Sequence, residues 1–192
     1  MPGKVMADIG GKPMLARVIQ RLNQCQLISE TNGHKEVIVA TTCDKADDDV
    51  GYVACSVGFG AYRHSDPNDV VRRYVHAARM RSADVVVRVT ADCPLIDPGV
   101  VDRTVEALLE NPYMDYASNV LERTYPRGLD VEAFWLDTLL RLDRHCVLPE
   151  DREHVTRYLR GDGRHLFTRY SVTGPHAHGD WRWTVDTGAD LA

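Results

Sequence analysis

The feature that most constrains this chain is a β-branched run that ends on an acidic loop bracketed by prolines. Asp84 to Thr90 (DVVVRVT) has the composition of a buried strand and leads directly into Ala91-Asp92-Cys93-Pro94-Leu95-Ile96-Asp97-Pro98. Proline has no N–H to donate to a ladder, so the strand must give way to a loop here. Pro98 then opens a helix that runs through Leu109. Strand, loop and helix in succession are the unit of a layered α/β domain, and Asp84–Thr90 is expected to be its central strand.

The same alternation runs along the chain. Met14, Leu15, Val18, Ile19 and Leu22 recur at helical spacing behind Pro13. Glu36–Thr42 reads as a buried strand, and Asp47, Asp48 and Asp49 suit the first turn of the helix after it. A short strand is expected over Gly60–His64 and a helix over Asn68–Met80. Strands follow over Asp115–Val120 and Leu129–Phe134, helices over Trp135–His145 and Glu150–Arg160, and strands over Leu166–Val172 and Trp181–Val185. The expectation is one domain of 192 residues in which five or six of these seven candidate strands, mostly parallel, pack with six helices.

The formal net charge of −5 argues against a nucleic-acid binder, which would present a basic stripe to phosphates, yet leaves room for a small phosphate ligand. The five cysteines form no C-x-x-C pair, and reduced thiols in a cytosolic protein are the simplest reading. No apolar run approaches the ~20 residues of a membrane span, and no signal pattern is visible. A cytoplasmic protein without membrane or nucleic-acid partners is therefore expected.

Asp92 lies just past the carboxyl end of the strongest strand, where open α/β sheets collect ligands. A carboxylate there can hold a hard divalent cation beside a phosphate, or make an Asx-type turn before Pro94, and position weighs the two equally. Asp186 ends the run Trp181–Val185 and serves either as a second cation ligand or as a helix N-cap. Lys4 and Lys12 stand beside glycines that permit close backbone approach to phosphate, although a solvated turn fits them as well. This is not a Walker loop, because Met6 stands at its first glycine and Pro13 after its lysine. Arg88, inside a strand, needs a partner, either a ligand or an acidic neighbour. Arg73 faces either substrate or solvent. His176 and His178 lack companion ligands of metal-site spacing and read as surface loop, while one face of Trp181 and Trp183 is expected to be core.

Several blocks in order carry a resemblance. Pro2-Gly3-Lys4, Gly11-Lys12-Pro13-Met14-Leu15, Asp69-Val70-Val71-Arg72-Arg73-Tyr74, and Arg88 through Asp97 are four of them. Tyr125-Pro126-Arg127-Gly128-Leu129-Asp130-Val131-Glu132, Arg152-Glu153-His154-Val155-Thr156 and Arg182-Trp183-Thr184-Val185-Asp186 complete the set. Together they resemble the cytidylyltransferases typified by spore-coat polysaccharide biosynthesis protein F, more distantly related to the CMP-sugar synthetases for acidic sugars. The resemblance implies a Rossmann-like nucleotidyltransferase fold. It also implies attack by a sugar oxygen on the α-phosphorus of CTP, giving a CMP-sugar and pyrophosphate.

By the same resemblance, Lys4 contacts the triphosphate, with Lys12 a weaker candidate, and Asp92 and Asp186 hold Mg²⁺. Arg73 and Arg88 are candidate nucleotide contacts. Tyr125, Arg127 and Asp130 fall on the acceptor-sugar side, a connecting loop being the alternative. Glu153 and His154 are substrate contacts or members of a capping cluster. A homodimer is a family-level expectation.

Members of that family open on a strand and an Ala-Arg-x-Gly-Ser-x-Arg-Leu loop just ahead of Pro-Gly-Lys, whereas this sequence begins Met1-Pro2-Gly3-Lys4. The resemblance therefore implies that the first strand and phosphate loop are missing, through a late start assignment or because this is a fragment. A sheet edge would then be exposed. Two rival readings stand beside the enzyme: a nucleotide-sugar-dependent glycosyltransferase, whose Asp-x-Asp motif Asp92-Cys93-Pro94 does not supply, and a non-catalytic fragment acting through binding.

Overall fold

The computed structural model describes residues 3–28, 30–31 and 34–191. Pro2, the first residue of the Pro-Gly-Lys block, lies outside them. In chain order the elements begin with α1 (Met14–Leu22), a two-residue pair β1 (Glu30–Thr31) and β2 (His34–Lys35), β3 (Ile38–Thr42), α2 (Asp48–Ser56) and β4 (Gly60–His64). Then come α3 (Val70–Met80), β5 (Val85–Arg88), α4 (Pro98–Glu110), β6 (Tyr116–Ser118) and β7 (Glu132–Trp135). The chain continues with α5 (Leu136–His145), α6 (Pro149–Glu153), α7 (Arg157–Arg160) and β8 (Arg169–Ser171).

The four-stranded sheet has the order β5-β7-β6-β8. Strand β7 is antiparallel to both β5 and β6, while β6 and β8 are parallel. Strands β5, β6 and β8 therefore share one direction, and β7 is reversed between them. The sheet is mixed rather than mostly parallel because β6 returns to β7 through a loop instead of a helical crossover. Strands β3 and β4 form a separate parallel pair joined by α2.

Side-chain alternation on β6 and β7 decides which helix covers which face. Tyr116 and Phe134 are fully buried on one side, against Val71 and Val75 of α3 and Leu139 and Leu142 of α5. Ala117 and Ala133 point the other way and meet Leu108 of α4. Period-two alternation puts large residues on one face and small ones on the other, so α4 can sit close to the sheet. Helix α1 buries Val18 and Leu22 with Val100 and Val101 of α4, and presents Leu15 and Ile19 to Val50 and Val53 of α2.

Several expectations need correction. Strand β5 is not central: among the described residues it pairs with β7 alone, and β3 pairs with β4 alone. The two strands instead line a cavity of ≈ 1050 Å³ together with Tyr74, Ala77 and Ala78 of α3 and Val105 and Leu109 of α4. Glu150–Arg160 is two short helices, because the chain turns at His154–Thr156 to bury Val155 and Thr156. Residues 181–185 form no strand; a single bridge joins Arg182 to Arg127. Trp181 and Trp183 are 48% and 39% exposed, so neither enters the core.

Candidate active site

The site begins with a close approach of two loops. Gly128 has φ +104°, in the left-handed region that side chains disfavour. A Cβ there would stand 2.7 Å from both the Thr184 nitrogen and the Trp183 carbonyl carbon. Without one, the strip 181–185 lies against the 126–128 turn. The Arg127 N–H donates to the Trp181 carbonyl at 2.9 Å, and the Trp183 N–H donates to the Arg127 carbonyl at 2.6 Å. One step further, the Val185 N–H and the Thr184 hydroxyl both donate to the Asp92 carbonyl, at 2.9 and 3.2 Å. The loop after β5 and the strip leading to Asp186 are thereby laced together.

Gly128→Ala is expected to separate these loops. Strain and backbone collision act together at this position. Protection of the Trp183 and Val185 amides from hydrogen exchange should fall at least tenfold while far-UV circular dichroism stays near that of the wild type.

The lacing brings Asp92 and Asp186 to one point. Asp92 Oδ2 and Asp186 Oδ1 accept from the same Lys4 ammonium, at 2.8 and 2.7 Å. Lys4 is placed by a short 3-10 turn, Lys4–Met6, whose Val5 and Met6 pack on the Leu15–Ile19 cluster. The second oxygen of Asp186 accepts from Arg182 at 2.8 Å. Arg182 is tethered in turn by both oxygens of Asp190, which also accepts the backbone N–H groups of Asp186 and Thr187. Asp190 thus makes the back-reaching half of a capping box, while its own N–H donates to the Thr187 carbonyl at 3.2 Å.

The charges of this cluster sustain one another. Burial alone would lift the Asp92 pKa, but hydrogen bonds from Lys4 and Thr90 hold it below the ordinary value. Asp186 is lowered by hydrogen bonds from Lys4 and then Arg182. Burial pulls Lys4 down, and its bonds to Asp186 and Asp92 more than offset that. Both carboxylates are thus ionised at neutral pH. Neighbouring Cys93 is the opposite case: burial pushes its thiol up to about 12, which removes it as a nucleophile.

A cavity of ≈ 210 Å³ opens beside the cluster, lined by Thr90, Asp92, Cys93, Arg127, Gly128, Asp130, Arg182, Thr184 and Asp186. Arg127 and Asp130 line this cavity. Asp130 is engaged by Arg123 through two bonds of 2.6 and 3.0 Å, while the Arg127 guanidinium has no hydrogen bond or ion pair among the described residues. The Tyr125 hydroxyl accepts from Arg103. Lys12 is exposed on the turn Asp8–Pro13, where Gly10 and Gly11 both have positive φ.

Other candidates are engaged elsewhere. Arg73 is buried and donates to the carbonyl of Pro67 at 2.8 Å. Arg88 pairs with the buried Glu132 across β5 and β7, so the protein itself supplies its partner. Glu153 and His154 are exposed at the end of α6 and are absent from the pocket lining. His178 stacks on Trp181 with ring centres 4.3 Å apart. Sequence reading missed Arg182, Asp190 and Arg123 as site residues. The four-residue spacing of Arg182, Asp186 and Asp190 was visible, but only a helix would have made it meaningful in advance.

Two ionised carboxylates thus converge on the Lys4 ammonium beyond the carboxyl end of β5, where an α/β framework suits a phosphate-bearing ligand. Comparison with known proteins supplies the family. A cytidylyltransferase family model matches residues 1–179, and the chain belongs to that family. A solved cytidylyltransferase from Leptospira borgpetersenii superposes with a TM-score of 0.91 at 32% identity, over 99% of this chain and 77% of that one. The spore coat polysaccharide biosynthesis protein SpsF of Bacillus subtilis is 27% identical over 198 residues, 99% of this chain and 77% of the relative. The 3-deoxy-manno-octulosonate cytidylyltransferase of Geobacter sulfurreducens is 35% identical over 111 residues, 58% of this chain and 41% of the relative. Among the described residues no helix is long and apolar enough to cross a membrane.

Proposed function

We propose that the protein transfers the cytidylyl group of CTP to a sugar hydroxyl, giving a CMP-sugar and pyrophosphate for polysaccharide or glycan assembly. The observation that carries this reading is the convergence of Asp92 and Asp186 on one cationic centre beside a polar cavity. The Geobacter relative's name supports an acidic sugar as acceptor, and the Bacillus relative's name supports a place in polysaccharide biosynthesis.

The donor set suits Mg²⁺, a hard cation that takes one or two carboxylates and completes its shell with phosphate oxygens and water. Asp92 and Asp186 would hold it, and when bound it would neutralise charge on the phosphates. In the reaction the sugar oxygen forms a bond to the α-phosphorus. The bond from that phosphorus to the α,β-bridging oxygen breaks, pyrophosphate departs with the electron pair, and the proton of the sugar hydroxyl passes to solvent. Little covalent work falls to the protein in such a transfer. Lys4 and Arg182 supply positive charge at the phosphate side, and Arg127 offers a cation toward the cavity. Arg182 is pre-organised for this by Asp190.

The test is incubation with CTP, MgCl₂ and a panel of keto-acid and neutral sugars, read by pyrophosphate release. Release that depends on both CTP and a sugar is the expected result, and EDTA should abolish it. Turnover of nucleotide-sugars without pyrophosphate would point instead to a glycosyltransferase. Absence of CTP binding in calorimetry would refute the enzyme reading for this chain.

A further inference from the structure

We propose that Lys4 is a built-in competitor for the cation site, so that a divalent cation and the nucleotide bind cooperatively by displacing its ammonium together. This rests on the reading of Asp92 and Asp186 as cation ligands. The two carboxylate oxygens that face each other, Asp92 Oδ2 and Asp186 Oδ1, are both taken by Lys4 Nζ at 2.8 and 2.7 Å, while Asp92 Oδ1 meets the Cys93 thiol at 3.5 Å, so a cation bridging the two aspartates must take the place of Lys4. The other oxygen of Asp186 is committed to Arg182 at 2.8 Å. Ammonium and metal ion cannot occupy one point, so either excludes the other.

The two cations of the cluster differ in what they can fall back on. Arg182 holds Asp190 through two bonds and keeps that anchor whatever happens at Asp186. Among the described residues the Lys4 ammonium has Asp92 and Asp186 as its hydrogen-bond partners and no third carboxylate. Once displaced it needs a new anion. A flexible four-carbon stem lets it find one nearby, and the triphosphate that arrives with the cation provides it. Cation alone must evict Lys4 without compensation, whereas cation with nucleotide gives it a new partner. By linkage, each ligand then raises the affinity for the other.

The prediction concerns binding rather than turnover. Mn²⁺ serves as the probe, followed by electron paramagnetic resonance of the free ion. With Mn²⁺ alone, Lys4→Met should bind about tenfold more tightly than the wild type, a size consistent with losing two partly exposed ion pairs. Addition of CTP should strengthen Mn²⁺ binding in the wild type and do so much less in Lys4→Met. Lys4→Arg, which keeps a cation, should stay within about threefold of the wild type in Mn²⁺ affinity, a control that packing loss would not reproduce. Circular dichroism establishes that each variant is folded.

If Lys4→Met binds Mn²⁺ no more tightly than the wild type while Asp92→Asn loses it, the competitor proposal is overturned and the cation site stands. If neither protein binds Mn²⁺ with or without CTP, the proposal and the metal assignment fall together.

Discussion

Asp92→Ala is expected to reduce cytidylyl transfer on the order of 10³-fold, the scale seen when an electrostatic contact to a developing transition state is deleted. Asp92 supplies half of the carboxylate pair held by Lys4, and among the described residues the other acidic side chains lining the cavity are Asp130 and Asp186. Asp130 is engaged by Arg123, and Asp186 is already the other member of the pair, so neither can replace it. Stability should change far less. The Asp92 carboxylate is 24% exposed and its ion pair with Lys4 is of the modest, partly solvated kind worth about 1 kcal/mol or less. Its backbone carbonyl, which laces the 184–185 strip, is untouched by the substitution. The measurement is pyrophosphate release beside thermal melting. Normal turnover in a folded Asp92→Ala protein would end the metal assignment.

Glu132→Ala should have the largest effect on stability. Glu132 on β7 is 3% exposed and accepts from Arg88, from the Tyr116 hydroxyl at 2.6 Å and from the Thr156 hydroxyl at 2.5 Å. Removing it leaves the Arg88 charge buried without its counter-ion, a change that typically costs about 3–5 kcal/mol. For a domain of this size that corresponds to a melting point lower by roughly 10 °C. The sign with pH follows from the shifted carboxyl. Burial would raise the Glu132 pKa, but the Arg88 charge and the hydrogen bonds from Thr156 and Tyr116 hold it below its ordinary 4.5. Its contribution is therefore complete above about pH 4.5 and is lost as pH falls through the lower folded value. Melting curves of wild type and variant should stay widely separated at pH 7 and converge in strong acid. A variant that melts within 2 °C of the wild type at pH 7 would refute the structural role given to this network.

The same network shows where sequence reading stops. Arg88 inside a hydrophobic strand announced that a partner was needed, and an acidic neighbour fitted it somewhat better than a ligand, but which neighbour was not legible. Glu132 was chosen by strand register, because β5 and β7 pair antiparallel with Arg88 opposite Glu132. Arg73 was open between substrate and solvent, and the structure instead buries it, with the turn before α3 offering the Pro67 carbonyl. Exposure of Trp181 and Trp183 could not be read from their alternation, because the strip they occupy is held by loops rather than by a ladder.

By itself the sequence determined the layered α/β plan. It placed α1, β3, β4, α3, β5 and α4 from periodicity and proline positions, and it marked Asp92 by its place after a strand. These are local properties, carried by residues within a few positions of one another. Only the tertiary structure decided that Asp186 and Lys4 meet Asp92, that Arg182 and Asp190 brace the same point, and that β7 runs against its neighbours. Those facts depend on Gly128 letting two distant loops touch and on strand register. Neither leaves a periodic trace along the chain, because each is a relation between segments that become neighbours only when the chain is folded.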